Sequence, residues 1–204
     1  MPTSLKSTAA VILAAGKGTR MKSRLPKVLH PCGEVPLIVR VVELARKRGY
    51  APLVVVVAPE GARVREVLRA HFPDTELLFA VQKQQLGTGD ATRAGLDAIP
   101  KHRGRVVTLY GDVPLLRAST LNALERSAKI HNLALLTALV VDLSVYGRIV
   151  RDGRQVMRVV EHRDATAAEL AIREINVGVY CAEAALFREA LGQVTSGNKQ
   201  NEFY

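Results

Sequence analysis

The chain has 204 residues, 48% hydrophobic and 24% charged, which suits one sizeable core and excludes a disordered protein. Lys and Arg outnumber Asp and Glu by 29 to 19, a net charge of +10 that admits nucleic acid, an anionic membrane or a small phosphorylated ligand. Distribution narrows this. The basic residues fall in short groups at 46–48, 63–69 and 101–105 with no basic tail, aromatics are 4% with no Trp, and no run nears the roughly 18 apolar residues of a membrane span. Neither nucleic acid nor membrane is the expected partner, and a cytoplasmic location is the default. Cys32 and Cys181 lie far apart in no metal or redox spacing, so both read as reduced structural thiols.

In chain order, Val11 to Leu13 reads as a strand feeding a glycine loop. Pro36 to Arg48 carries Leu37, Ile38, Val41, Leu44 and Ala45 at helical spacing, with Gly49 suited to the C′ position. Leu53 to Ala58 is a continuous β-branched run, the pattern of a strand buried on both faces, and Ala62 to His71 returns to helical spacing. A strand at Leu77 to Val81, a helix at Gly89 to Ala98, a strand at Arg105 to Tyr110 and a helix at Ser119 to His131 continue the alternation. This order predicts a doubly wound, Rossmann-like α/β sheet. Past Leu133 the rhythm changes: strands at 134–141, 149–151, 156–161 and 175–182, with Asp152-Gly153 as a hairpin signal, predict an antiparallel insertion in a mixed sheet. From Gly192 the chain turns polar, with no helix or strand expected beyond.

Ligands in open α/β sheets lie beyond the carboxyl ends of the strands, so four places stand out. The first is Leu13-Ala14-Ala15-Gly16-Lys17-Gly18-Thr19-Arg20-Met21, closed by Pro26-Lys27. Gly16 and Gly18 let the backbone take unusual φ/ψ and bring N–H groups to an anion, with Arg20 and Lys27 as fixed positive charge. The spacing is not that of a P-loop, and Met21 stands where a dinucleotide fingerprint needs a small residue. Second is Gln82 to Gly89, whose amides and backbone groups suit the edge of a base. Third is Tyr110-Gly111-Asp112-Val113-Pro114, where a carboxylate at a strand end suits Mg²⁺ or a helix cap. Fourth are Gly147, Glu161 and Asn176, a close backbone, an acceptor and an amide suited to a sugar.

These motifs, with Gln85-Leu86-Gly87-Thr88-Gly89, Tyr146-Gly147-Arg148-Ile149, Val160-Glu161-His162, Asp164-Ala165-Thr166 and Glu174 to Gly178, resemble the sugar nucleotidyltransferases. The match is to the uridylyltransferase domain of the bacterial bifunctional N-acetylglucosamine-1-phosphate uridylyltransferase/glucosamine-1-phosphate acetyltransferase family. It spans nearly the whole chain. The resemblance implies a nucleotide-diphospho-sugar transferase fold whose antiparallel insertion binds the sugar, and substrates UTP and N-acetylglucosamine 1-phosphate. It implies that Leu13, Ala14, Ala15, Gly16, Gly18 and Lys27 hold the UTP phosphates and nucleoside, and that Gln82, Gly87 and Thr88 meet uracil or ribose. Tyr110, Gly111 and Asp112 would border the sugar beside Gly147, Glu161 and Asn176; Arg20, Lys27 and Asp112 would serve catalysis, with Asp112 on Mg²⁺.

In that family a second metal ligand, an asparagine, lies past Tyr204, as does the β-helix acetyltransferase domain through which full-length members are homo-oligomers. Residues 1–204 therefore read as one truncated nucleotidyltransferase domain, expected to bind uridine nucleotides but to turn over poorly or not at all. A transferase for another base or sugar, a non-catalytic nucleotide-binding module and a basic nucleic-acid binder are the competing readings.

Overall fold

The computed structural model describes residues 7–16, 18, 21–141 and 146–194. The first strand, β1 (Ala9–Ala14), is apolar and buried at all six positions. A 3-10 turn at Lys27–Leu29 and a two-strand hairpin, β2 (Pro31–Cys32) with β3 (Val35–Pro36), lead into α1 (Leu37–Lys47). Then come β4 (Leu53–Val57), α2 (Ala62–His71), β5 (Leu77–Val81), α3 (Thr88–Asp97), β6 (Arg105–Tyr110) and α4 (Ala118–His131). The second half contains β7 (Leu133–Leu139), the hairpin β8 (Arg148–Asp152) and β9 (Gln155–Val160), a single turn α5 (Ala167–Leu170), the long β10 (Glu174–Glu183) and α6 (Ala184–Gln193).

The strands form one sheet in the order β5-β4-β1-β6-β10-β8-β9, with β7 on the other side of β10. The first four are parallel, with Ala10 to Ala14 opposite Leu53 to Val57 and Ala9 to Leu13 opposite Val106 to Tyr110. Strand β10 runs antiparallel to β6 at Cys181 to Glu183 and meets β8 at Ile175. The sheet is therefore doubly wound and mixed, with the antiparallel insertion in the second half, as the alternation of the elements predicts.

Period-two alternation divides β1 between two cores. Ala10, Ile12 and Ala14 face Ile38, Val42, Leu68 and Leu121 of α1, α2 and α4. Ala9, Val11 and Leu13 face Leu96 of α3 and Phe187 and Leu191 of α6. Helix α3 sits so close that a Cβ on Gly95 would overlap the side chain of Val11. Helix α6 is absent from the sequence reading although Ala184, Phe187 and Leu191, all buried, carry its spacing. The β2–β3 hairpin and α5 are too short to show a period. Thr166 and Glu169 nevertheless form a capping box on α5, whose sequence pattern is visible.

Both cysteines are free. Cys181 is fully buried, and burial pushes its thiol up to about 12, whereas Cys32 is partly exposed. Only the thiolate reacts with a disulfide reagent. A native chain at pH 8 should therefore titrate as one fast thiol, and the denatured chain as two. The unfolded thiol ionises near 9.0 and the folded one near 12, so this group's stabilisation is complete below pH 9 and is lost between those values. Two fast thiols in the native chain would contradict the buried position of Cys181.

Candidate functional site

β1 and β6 are neighbours whose outgoing connections run in opposite directions along the sheet, from β1 through α1 to β4 and from β6 through α4 to β7 beside β10. The Gly111 N–H donates to the Leu13 carbonyl at 2.9 Å and closes the floor between them. Above it lies a cavity of about 720 Å³ lined by Leu13, Ala14, Ala15, Gly16, Gly18, Lys27, Gln82, Gly87, Thr88, Tyr110 and Asp112. All the nucleotide-binding candidates are thus on one wall system. Arg20 lies outside the described residues.

Gly18 has φ +60°, and a Cβ there would stand 2.7 Å from the Lys27 Cβ, so the loop can approach the 3-10 turn only at a glycine. Gly16 differs from the expectation of special backbone at both glycines. Its φ is not positive and a Cβ would meet nothing within 4 Å, because that side opens into the cavity. Buried Val28 and Leu29 anchor the turn that carries Lys27. The Lys27 ammonium forms an ion pair with Asp112 at the cavity edge, their side chains 40% and 22% exposed. Asp112 is not a helix cap, since α4 begins after Arg117.

Gln82 is 4% exposed and its Nε2 donates to the Gly87 carbonyl at 3.0 Å and to Asp90 Oδ2 at 2.9 Å. Gln85 Nε2 donates to the Ala15 carbonyl at 2.5 Å and ties this loop to the glycine loop. Sequence reading passed over Gln85 and Asp90 as roles, because their partners are set only by tertiary packing.

A second cavity, about 820 Å³, adjoins the first and shares Leu13, Thr88 and Tyr110 with it. Its polar end holds Glu161, Asp164, Asn176 and Tyr180, and its far end is the apolar side of α6. Tyr110 stands between the two cavities; burial pushes its hydroxyl up to about 12, opposed by a hydrogen bond with Thr88. Asn176 donates from Nδ2 to the Tyr180 hydroxyl at 2.7 Å and accepts the Gly178 N–H at 2.9 Å, across the register shift of β10. Gly147 lies against Glu161, its added Cβ only 2.8 Å from Oε1, and its carbonyl accepts the Asn176 N–H at 2.9 Å.

Gly147, Glu161 and Asn176, distant in sequence, therefore meet. Two other sugar candidates do not join them. Gly111 lines neither cavity; it packs beneath the floor against Val28 and Ile38. Asp112 lines the first cavity and not the second, held there by Lys27. Among the described residues no group of three or more His, Cys, Asp and Glu is placed to hold a metal, so Asp112 offers a single carboxylate.

Residues 10–147 match the family of MobA-like NTP transferase domains, and the chain belongs to that family. It is similar to the bifunctional protein GlmU of Kineococcus radiotolerans, 46% identical over 199 residues that cover 96% of this chain and 40% of that protein. With the bifunctional protein GlmU of Chromobacterium violaceum the identity is 45% over 202 residues, 98% of this chain and 43% of the relative. The chain thus spans about two fifths of the length of these curated relatives. In fold it is similar to UDP-glucose pyrophosphorylase solved with UDP-glucose, with TM-score 0.78, 20% identity and coverage of 97% of this chain and 83% of the other. No helix among the described residues is long and apolar enough to cross a membrane.

Gly178 combines φ +78° with contact against the Tyr110 ring, which any Cβ would overlap. Gly178→Ala should therefore cost about 2–4 kcal/mol from left-handed backbone strain plus overpacking. Urea unfolding measures it; an unchanged midpoint would mean that the bulge relaxes freely.

Proposed function

We propose that the chain is a uridylyltransferase that joins UTP to N-acetylglucosamine 1-phosphate, giving UDP-N-acetylglucosamine and pyrophosphate. The observation that carries this reading is the pair of cavities sharing Tyr110, one lined by the glycine loop and Lys27, the other by Glu161 and Asn176. Two substrates placed in them would meet end to end beside Asp112. The 45–46% identity to proteins named GlmU and the motif resemblance support the same assignment. A UTP-dependent enzyme works where UTP is made, so a cytoplasmic location comes with the reading.

An oxygen of the sugar phosphate attacks the α-phosphorus of UTP, the bond to the β-phosphate oxygen breaks, and pyrophosphate leaves with the electron pair. No protein nucleophile takes part. The cavities hold the two reactants in line, which is the main contribution of such a site, and the Lys27 ammonium with the loop N–H groups faces the charge that grows on the leaving group. Glu161 and Asn176 hold the sugar, and Gly147, which lines neither cavity, packs against both of them. The single carboxylate of Asp112 fits a magnesium ion that keeps water and substrate phosphates as its other ligands. Bound there, the ion would supply further neutralisation of phosphate charge.

Pyrophosphate release from UTP and N-acetylglucosamine 1-phosphate in the presence of Mg²⁺ tests the assignment. Lys27→Ala should lower that rate by about a hundred- to a thousandfold, with little change in affinity for the sugar phosphate. A variant with the unmodified kcat would remove Lys27 from the reaction. Release that is equally fast from CTP and ATP would remove uridine as the preferred nucleoside.

A further inference from the structure

We infer that Asp90 is a positioning residue for base selection: it fixes the amide of Gln82 so that only an oxygen faces the nucleotide cavity. The inference rests on the uridine reading above and extends it to a residue outside the cavity lining. Gln82 is buried, and its side-chain nitrogen lies 3.0 Å from the Gly87 carbonyl and 2.9 Å from Asp90 Oδ2. A carbonyl and a carboxylate have no proton to give, so both need a donor from Gln82. The two N–H bonds of the amide are then used. Turning the amide over would set its oxygen against two acceptors and leave three groups unpaired.

What remains is Oε1. No described residue donates to it, and it is not among the buried polar atoms left without a partner, so it is reached from the cavity that Gln82 lines. An acceptor with no donor beside it pairs with the N3–H of uracil. It repels the N3 lone pair of cytosine, and a site built on one such pairing rejects the base that cannot complete it.

The carboxylate is well placed for this task. Asp90 sits in the first turn of α3, where the positive end of the helix favours an acidic residue, and α3 itself is seated on β1 through Gly95. The rigid element thus holds Asp90, Asp90 holds Gln82, and Gln82 presents one lone-pair group to the base. With Asp90 removed, only the Gly87 carbonyl opposes rotation of the amide, and Nε2 can turn toward an acceptor such as cytosine N3.

Calorimetric titration of the full chain with UTP and CTP in the presence of Mg²⁺ reads this directly. The unmodified chain should prefer UTP, and Asp90→Ala should lower the UTP-to-CTP affinity ratio by about tenfold, the scale of one lost hydrogen bond. Asp90→Leu, of similar bulk and good helix propensity, should do the same, while Asp90→Asn, which still offers a carbonyl acceptor, should keep the ratio. A general loss of stability would weaken both nucleotides together and leave the ratio alone. Retention of the unmodified ratio by the Ala and Leu variants overturns the role of Asp90. No preference for UTP in the unmodified chain overturns the uridine reading, and this inference with it.

Discussion

Everything in the site depends on β1 having no freedom. It is hydrogen-bonded to a parallel strand on each side, buried at every position, and packed by helices on both faces. Its two neighbours continue the chain in opposite directions, so a crevice must open at the carboxyl ends of β1 and β6. Residues from four separate stretches end there: the glycine loop, Lys27, the loop from Gln82 to Thr88, and Tyr110 with Asp112. Their placement follows from sheet topology before any ligand is considered.

The half that carries Glu161 and Asn176 is joined to this frame by one strand. β10 pairs with β6 at its carboxyl end and with β8 at its amino end, and along its other edge its register with β7 shifts at the bulge from Asn176 to Tyr180. The Tyr180 N–H donates to Thr108 Oγ1 at 2.9 Å, pinning the bulge to the strand that also ends in Tyr110. Gly178 then lies under the Tyr110 ring, and Asn176 is turned toward the second cavity by its bonds to Tyr180 and Gly178. A shift of β10 would move Asn176 relative to Tyr110.

Much of the fold was legible because burial on both faces leaves a strong mark. Leu53 to Val57 is a continuous apolar run and Arg105 to Tyr110 a β-rich one interrupted by Thr108, and the structure turns them into parallel strands at nearly those limits. Elements of two to four residues, β2, β3 and α5, carry no period to read. Helix α6 was legible in Ala184, Phe187 and Leu191, but the sequence reading stops at the strand ending in Ala182 and resumes only at the polar stretch from Gly192. In the site, the glycine loop and the strand-end carboxylate could be found from residue type and position. The bonds of Gln82 to Asp90, of Gln85 to Ala15 and of Lys27 to Asp112 could not, since each joins groups whose proximity is decided by how separate elements pack.

Those three bonds divide the nucleotide cavity into two kinds of surface. Gln82 is buried, so leaving its amide unpaired costs about 1–3 kcal/mol and its orientation is held whether or not a base is present. Gln85 adds a second fixed tie between the base loop and the glycine loop. The Lys27–Asp112 pair is different, because both side chains are open to water and a pair of that kind is worth about 0–1 kcal/mol. A triphosphate carries more negative charge than one carboxylate and can take Lys27 from Asp112 at little cost. On the proposed reading, the part of the cavity that would tell one base from another is thus built in advance, whereas the part that would meet phosphate is held by an ion pair weak enough to exchange. Selectivity and charge neutralisation would then fall to separate groups, on α3 with its preceding loop and on the 3-10 turn, with the glycine loop lining the same cavity.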